Sequence, residues 1–277
     1  TIYRIDHPEC SLDDLMNFVK GPDFPTGATV EGIEGIKDAY RTGRGKINIK
    51  SKYTFEEDKS KLSLVITEIP FESNKALLVK KIDDIRIDKK IEGIVEVRDE
   101  SAADIRIVID LKKNANKELI LNYLLKNTDM QISYNFNMVS IVNRRPKLLG
   151  LEGALDAFIA HQKDVVKRRT EFDLAHAKAR YHIVEGLIKC ISILDEVIKT
   201  IRASKNKQDA KDNLVKEYEF TEAQAEAIVV LQLYRLTNTD VVALENEKEA
   251  LEKIIAGLTA ILGSEDVLKS VMKKDLR

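Results

Sequence analysis

Proline is absent after Pro146: all five prolines (Pro8, Pro22, Pro25, Pro70, Pro146) fall in the first part of the chain. An interior proline removes a helical hydrogen bond and clashes with the preceding turn, so its absence permits long uninterrupted helices and divides the chain near Arg145. Cysteine is almost as scarce. Cys10 and Cys190 are too far apart to form a ligand spacing, and both are expected reduced, in apolar surroundings, in a cytosolic protein. The four histidines are scattered, with neither a zinc-type His/Cys pattern nor a nucleophile elbow, so no metal and no covalent site is expected. No run approaches 18 consecutive apolar residues and the N-terminus lacks a charged region followed by an apolar one, which argues against a membrane span and a signal peptide. The chain opens on Thr1 rather than methionine and reads as an excised piece. Finally, 45 Lys and Arg stand against 46 Asp and Glu, a net charge of -1. A nucleic-acid binder with this balance must concentrate its cations locally.

What is present suits two domains. A length of 277 residues with 44% hydrophobic content allows each its own core. In the first half, β-rich and alternating runs cover Lys46 to Thr54, Leu62 to Ile69, Ile91 to Arg98, Ile105 to Leu111 and Met130 to Val142. Two helices interrupt them. One follows the cap-forming Glu72-Ser73-Asn74 and carries Leu77, Leu78, Ile82 and Ile85; the other follows Asn114 and carries Leu119, Ile120, Tyr123 and Leu124. The order predicts an α+β domain with helices on one sheet face, a scaffold rather than a function.

Beyond Leu151, apolar residues recur at helical spacing through Leu155, Phe158, Val166, Phe172, Ala179, Ile183 and Leu187, about ten turns. A second run, Leu244, Leu251, Ile255, Leu258 and Leu262, keeps nearly heptad spacing. Ile159 to Glu185 carries a net +2 and Asp240 to Leu262 a net -3. Antiparallel helices of opposite charge are the simplest reading, with an ordinary helical bundle as the alternative. Between the arms, Thr221 and Gln224 make a capping box, and Ala225, Ile228, Val229, Leu231, Leu233 and Leu236 exceed one helix face. That excess predicts either a partner surface or a small closed globule at the coil tip. Gly186, within the first arm, reads as a hinge or a bend.

The stretch "GPDFPTGATVEGIEGIKDAYRTGRGK", Gly21 to Lys46, is crowded with turn formers. A Walker A loop is excluded, because Tyr40 stands where its first glycine belongs and Ile47 where its Ser or Thr belongs. What remains is a glycine-flanked basic turn, with Arg41, Arg44 and Lys46, leading into a strand that continues with Lys50. Glycines would let backbone amides approach a phosphate and the cations would neutralise it. A solvated basic strand edge that guards against aggregation is the alternative.

The motifs "GPDFPTGA", "GIKDAYRTGRGK", "ITEIPFESNKALLVKKI", "VRDESAADIRIVIDLKK" and "YNFNMV" resemble the region after the catalytic winged helix in the A subunit of bacterial type IIA DNA topoisomerases; "HIVEGLIKCISILDEVIKTIRAS" and "QAEAIVVLQLYRLTNTD" carry the likeness to the end of the coil. "RLTNTD" and "LIKCISILDEVIKTIRAS" are more similar to the topoisomerase IV (ParC-type) branch than to gyrase. The resemblance implies an α+β tower domain followed by a long antiparallel α-helical coiled coil with a small helical globule at its tip. On that reading residues 1–20 are the tail of the catalytic region, 21–145 the tower, 146–185 and 240–277 the coiled-coil arms, and 186–239 a dimerising exit gate. It implies a part in ATP-dependent duplex passage, decatenation and relaxation, as a homodimer completed by the topoisomerase IV B subunit into an A2B2 complex, in the cytoplasm on the chromosome. Mg2+ and ATP would be held through that B subunit. The family's nucleophilic tyrosine follows an arginine upstream of the matched region; Tyr3 precedes Arg4 instead, so no catalytic residue is assigned and this piece alone is expected inactive. Double-stranded DNA would be met by Arg41, Arg44, Lys46 and Lys50, and the twofold contact by Ile228, Leu231, Leu233, Tyr234 and Leu236. An equivalent of the gyrase A subunit is one alternative, and a non-enzymatic coiled-coil dimerisation protein is the other.

Overall fold

The computed structural model describes residues 1–58, 61–231 and 238–277, the last of these by backbone alone at 238–240. It comprises two compact units, Tyr3–Phe158 and Ile159–Arg277. The first holds α1 (Ile2–Asp6), α2 (Leu12–Met16), β1 (Thr29–Glu31), α3 (Ile33–Thr42), β2 (Arg44–Lys50), β3 (Lys52–Glu57), β4 (Leu62–Glu68), α4 (Lys75–Ile87), β5 (Ile94–Asp99), β6 (Ile107–Leu111), α5 (Lys117–Asn127), β7 (Gln131–Asn137), β8 (Val139–Val142) and β9 (Arg145–Leu148). Then come α6 (Leu151–Ser192), α7 (Leu194–Ala203), α8 (Lys207–Tyr218), α9 (Glu222–Val230), α10 (Asn238–Gly263) and α11 (Glu265–Asp275).

Alternation decides the larger sheet, ordered β3-β4-β6-β5 and antiparallel throughout. Leu62, Leu64 and Ile66 of β4 and Ile107, Ile109 and Leu111 of β6 enter one core with Leu78, Ile82 and Ile85 of α4 and Ile120, Leu121, Leu124 and Leu125 of α5. Each such side chain, fully buried, contributes about 1.5–3 kcal/mol. Both helices start where an asparagine side chain accepts an orphan backbone N–H: Asn74 from Leu77 and Asn116 from Leu119, each at 3.0 Å. The opposite sheet face is mixed, with Val65 and Val108 buried on it beside polar side chains. There Asp110 accepts from Ser63 Oγ at 2.7 Å and is paired with Arg98, which also meets Glu96 and Glu100.

A smaller sheet, β1-β2-β7, packs its inner face on α3. The turn-rich reading of Gly21 to Lys46 missed this helix. Gly32 (φ 107°) and Gly43 (φ 82°) bracket it in left-handed conformation, which glycine adopts without a steric penalty. Gly35 and Gly45 let α3 lie against β2: a β-carbon on Gly35 would stand 1.8 Å from the Lys46 carbonyl oxygen, and one on Gly45 would stand 2.2 Å from the Gly35 carbonyl oxygen. These glycines therefore serve helix–strand packing, not an approach of backbone amides to phosphate. Ile36, Tyr40, Ile47 and Ile49 form the core between the layers, ringed by Phe24, Phe71, Tyr134 and Phe136.

In the second unit α10 lies along α6: Tyr181 donates to Glu252 at 2.9 Å and Glu185 meets Lys248 at 3.5 Å, two pairs whose order opposes the helices, and Arg180 grips Glu247 through two bonds at 2.6 and 2.9 Å. The chain reverses at Ser264, whose side chain caps α11, and α11 returns along α6 through Lys163–Glu265 and Arg169–Asp275. Helix α6 passes through Gly186 without a break and ends at Ser192. Helices α7 to α9 close on α6 over Leu187, Cys190, Val197, Leu214, Phe220, Ala225 and Ile228.

Candidate nucleic-acid interface

Strand β2 has a two-residue period. Gly45, Ile47 and Ile49 face α3, so Arg44, Lys46, Asn48 and Lys50 share the other face. The register with β7 places Asn137 opposite Arg44, Asn135 opposite Lys46, Ser133 opposite Asn48 and Gln131 opposite Lys50. Directly opposed residues share a sheet face. The sequence "QISYNFN" thus buries its Ile, Tyr and Phe and turns its amides and hydroxyl outward beside the cations. Ser133 Oγ donates to Asn48 Oδ1 at 3.0 Å, which joins the two strands across this face.

The four cations singled out from sequence are not equivalent. Arg44 and Lys46 are exposed, and neither has a carboxylate within ion-pair distance among the described residues. Lys50 is half-buried, 3.5 Å from Glu31 of β1 and 6.0 Å from the centre of the Tyr53 ring. Arg41 lies on the last turn of α3, exposed, 3.6 Å from Asp38. Arg44 and Lys46 present charge that the protein leaves uncompensated, whereas Arg41 and Lys50 hold loose surface pairs that a phosphate can displace at little cost. Sequence reasoning missed Asn48, Ser133, Asn135 and Asn137; only the register reveals them.

Two other groups, one in each unit, are structural. Burial pushes the Tyr40 phenol up, with Asp23 adding to the effect. Burial alone raises the Cys190 thiol to about 11, so it is not a nucleophile at neutral pH. Among the described residues no group of three or more His, Cys, Asp or Glu is arranged to hold a metal ion, and no helix is long and apolar enough to cross a membrane.

Of the residues named for a twofold contact, Ile228 is buried within its own unit and Leu231 is half-buried beside it. Leu233, Tyr234 and Leu236 lie outside the described residues. The exposed apolar side chains flanking that segment are Val230 and Val242. Ile228 is therefore a core residue that supports the tip from inside, because its side chain has almost no surface left for a partner.

Comparison with known proteins agrees with the resemblance. The chain is 58% identical to the A subunit of DNA topoisomerase 4 from Staphylococcus epidermidis over 278 residues, covering all of this chain and 35% of that protein. It is 58% identical to the protein of the same name from Bacillus subtilis and 57% identical to that from Streptococcus pneumoniae, with 34% of each covered. The chain thus spans about a third of the length of the curated relatives it matches. The family model for the A subunit of DNA gyrase/topoisomerase IV matches residues 1–277, and the chain belongs to that family.

Proposed function

We propose that this chain forms the tower, coiled-coil and exit-gate part of the DNA breakage–reunion subunit of a topoisomerase IV. The observation that carries the reading is the exposed face of β2 and β7, where Arg44 and Lys46 stand unpaired among Asn48, Asn135 and Asn137. In a chain of net charge -1 this is the local concentration of cations that a duplex requires. Arg41, Arg44, Lys46 and Lys50 contact phosphates, and the amides contact phosphate or sugar oxygens, so the face holds DNA in position without reading its sequence. The first unit is the tower. The opposed run of α6 and α10 is the coiled coil, and α7 to α9 with the segment after them form the gate, which pairs two copies through Leu231, Leu233, Tyr234 and Leu236 over the support of Ile228.

The remaining parts of the machine lie with other chains or regions. Duplex cleavage uses a tyrosine that this chain does not supply, and ATP and Mg2+ are held through the B subunit in an A2B2 assembly that relaxes and decatenates DNA. Relatives named topoisomerase 4 at 55–58% identity favour this branch over a gyrase.

The test is the salt dependence of duplex binding by the full-length protein. Arg44→Ala is expected to weaken binding equally on unrelated sequences and to flatten the slope of log K against log salt by about 0.9. An unchanged slope rejects the phosphate role.

A further inference from the structure

The β8–β9 hairpin is a second cationic feature, which the sequence pattern did not single out. Its strands pair from Val139↔Leu148 to Val142↔Arg145, and the turn consists of Asn143 and Arg144, both left-handed at φ 53° and 62°. This is the two-residue connection whose twist matches paired strands. Alternation gives the hairpin one apolar face, with Val139 and Ile141 opposite Leu148 and Pro146, and one mixed face carrying Ser140 and Val142 opposite Lys147 and Arg145. Ile141 is 80% exposed, and Val139 is 52% exposed. A two-stranded ribbon with an uncovered apolar face is marginal in water, so that face is built to be covered.

Two observations point to a polyanion beside this hairpin. First, Arg144, Arg145 and Lys147 are exposed and have no carboxylate within ion-pair distance among the described residues. Second, the hairpin continues the face already described. Arg44 pairs with Asn137 at the end of β7, Met138 N donates to Gly43 O at 2.9 Å, and Leu149 N donates to Met138 O at 3.0 Å. The base of the hairpin is thereby fixed against the turn that presents Arg44, and four residues of strand carry its tip about 14 Å further. Pro146 removes a donor from β9, which disfavours capture of another strand along that edge.

We propose that this hairpin enters a groove of a DNA duplex edge-on, with Arg144 at its turn and Arg145 and Lys147 on one face meeting backbone phosphates, and Ile141 on the other face lying against the groove wall. Cations combined with an apolar side chain hold a minor groove without base-specific hydrogen bonds. The inference rests on the reading of the first unit as a duplex-binding tower and adds a contact to it.

The experiment titrates salt from about 50 to 200 mM while the full-length protein binds a linear duplex. Arg144→Gln with Arg145→Gln is expected to flatten the slope by about 1.8, so that affinity falls roughly twelvefold less than the parent's across that range. Ile141→Ser is expected to weaken binding several-fold with the slope unchanged. All three residues are exposed, and equal thermal melting confirms that the fold is intact. An unchanged slope in the double variant overturns the proposal. A lower melting temperature or an altered oligomeric state in Ile141→Ser, with affinity retained, assigns the apolar face to a protein contact and overturns the groove role. Arg44→Ala, run in parallel, separates the two readings. A flattened slope there with a silent hairpin rejects the hairpin alone, the reverse rejects the β2 face alone, and silence in both rejects the tower as a duplex-binding unit.

Discussion

Gln224 fills the space that a β-carbon on Gly186 would need: such an atom would stand 2.5 Å from Gln224 Cγ and 2.8 Å from its Cδ. Gln224 Nε2 donates to the His182 carbonyl at 2.8 Å, Thr221 and Gln224 cap the first turn of α9 reciprocally, and the His182 ring lies 2.7 Å from Thr221 Oγ. The start of α9 is therefore seated in a notch on α6 that exists because residue 186 has no side chain. This notch fixes the position of α9 on α6.

Gly186→Ala adds helix propensity worth up to about 1 kcal/mol but forces Gln224 out of its seat. Overpacking of a buried site costs about 1–3 kcal/mol, so the variant is expected to be less stable on balance. Urea unfolding midpoints of the parent and variant measure the loss. With Gln224→Gly already present the obstruction is gone, and the same Gly186→Ala change is expected to raise the midpoint. A loss of equal size in both backgrounds would mean that the notch is not the cause.

Gly45 is subject to a harder constraint, because its neighbours are backbone. A β-carbon there would stand 2.2 Å from the Gly35 carbonyl oxygen and 2.8 Å from the Ala39 nitrogen. Gly45→Ala is expected to push α3 away from β2, lowering stability by about 3 kcal/mol or more and displacing Arg44 and Lys46 with the strand. Gly257→Ala in α10 is the control: nothing stands within 4 Å of the added atom, and stability is expected to rise by up to about 1 kcal/mol. Thermal unfolding of the two variants, with duplex affinity recorded for Gly45→Ala, tests both expectations.

The same glycines show where the sequence was legible. Strands at 62–69 and 105–111 and the helix capped by Asn74 follow from alternation and capping, because those signals are local and the core agrees with them. Helix α3 was not visible. Gly35 lowers its intrinsic helix propensity and, with the flanking Gly32 and Gly43, imitates a loop, yet each is required by contacts with β2 or by a left-handed cap. The second helix starts at the Asn116 cap rather than at Asn114, since two asparagines two residues apart offer the same local signal and only packing chooses between them. Of the candidate site, the cations of β2 were legible from spacing, but their amide neighbours on β7 required the register, and Arg144 and Arg145 lie just past the run Met130 to Val142, which was read as one strand and whose hairpin return was not seen. Ile228 was taken for surface because an excess of apolar residues does not say which of them the helix turns inward.

The Arg98–Asp110 pair yields a pH-dependent expectation. Asp110 is nearly buried, and its carboxyl is held below the usual carboxylate range chiefly by the Arg98 guanidinium, with Ser63 assisting against the opposing effect of burial. A depressed folded value means that the stabilisation is present above the unfolded pKa, near 3.9, and is lost as pH falls through the folded value. Arg98→Met removes the largest lowering influence and leaves burial opposed by the smaller effects of Ser63 and Lys61, so the carboxyl of Asp110 is expected to rise. The variant then carries a poorly compensated charge at neutral pH, at a cost of about 1–3 kcal/mol. As pH falls, the variant's carboxyl takes its proton first and the parent's only at a lower pH, because its folded value is depressed. The gap between parent and variant is expected to be widest at neutral pH and to close on the acid side. Urea unfolding at a series of pH values measures it. A gap that stays constant from about pH 7 to about pH 3 would assign the effect of Arg98 to the packing of its aliphatic stem over the sheet rather than to its charge.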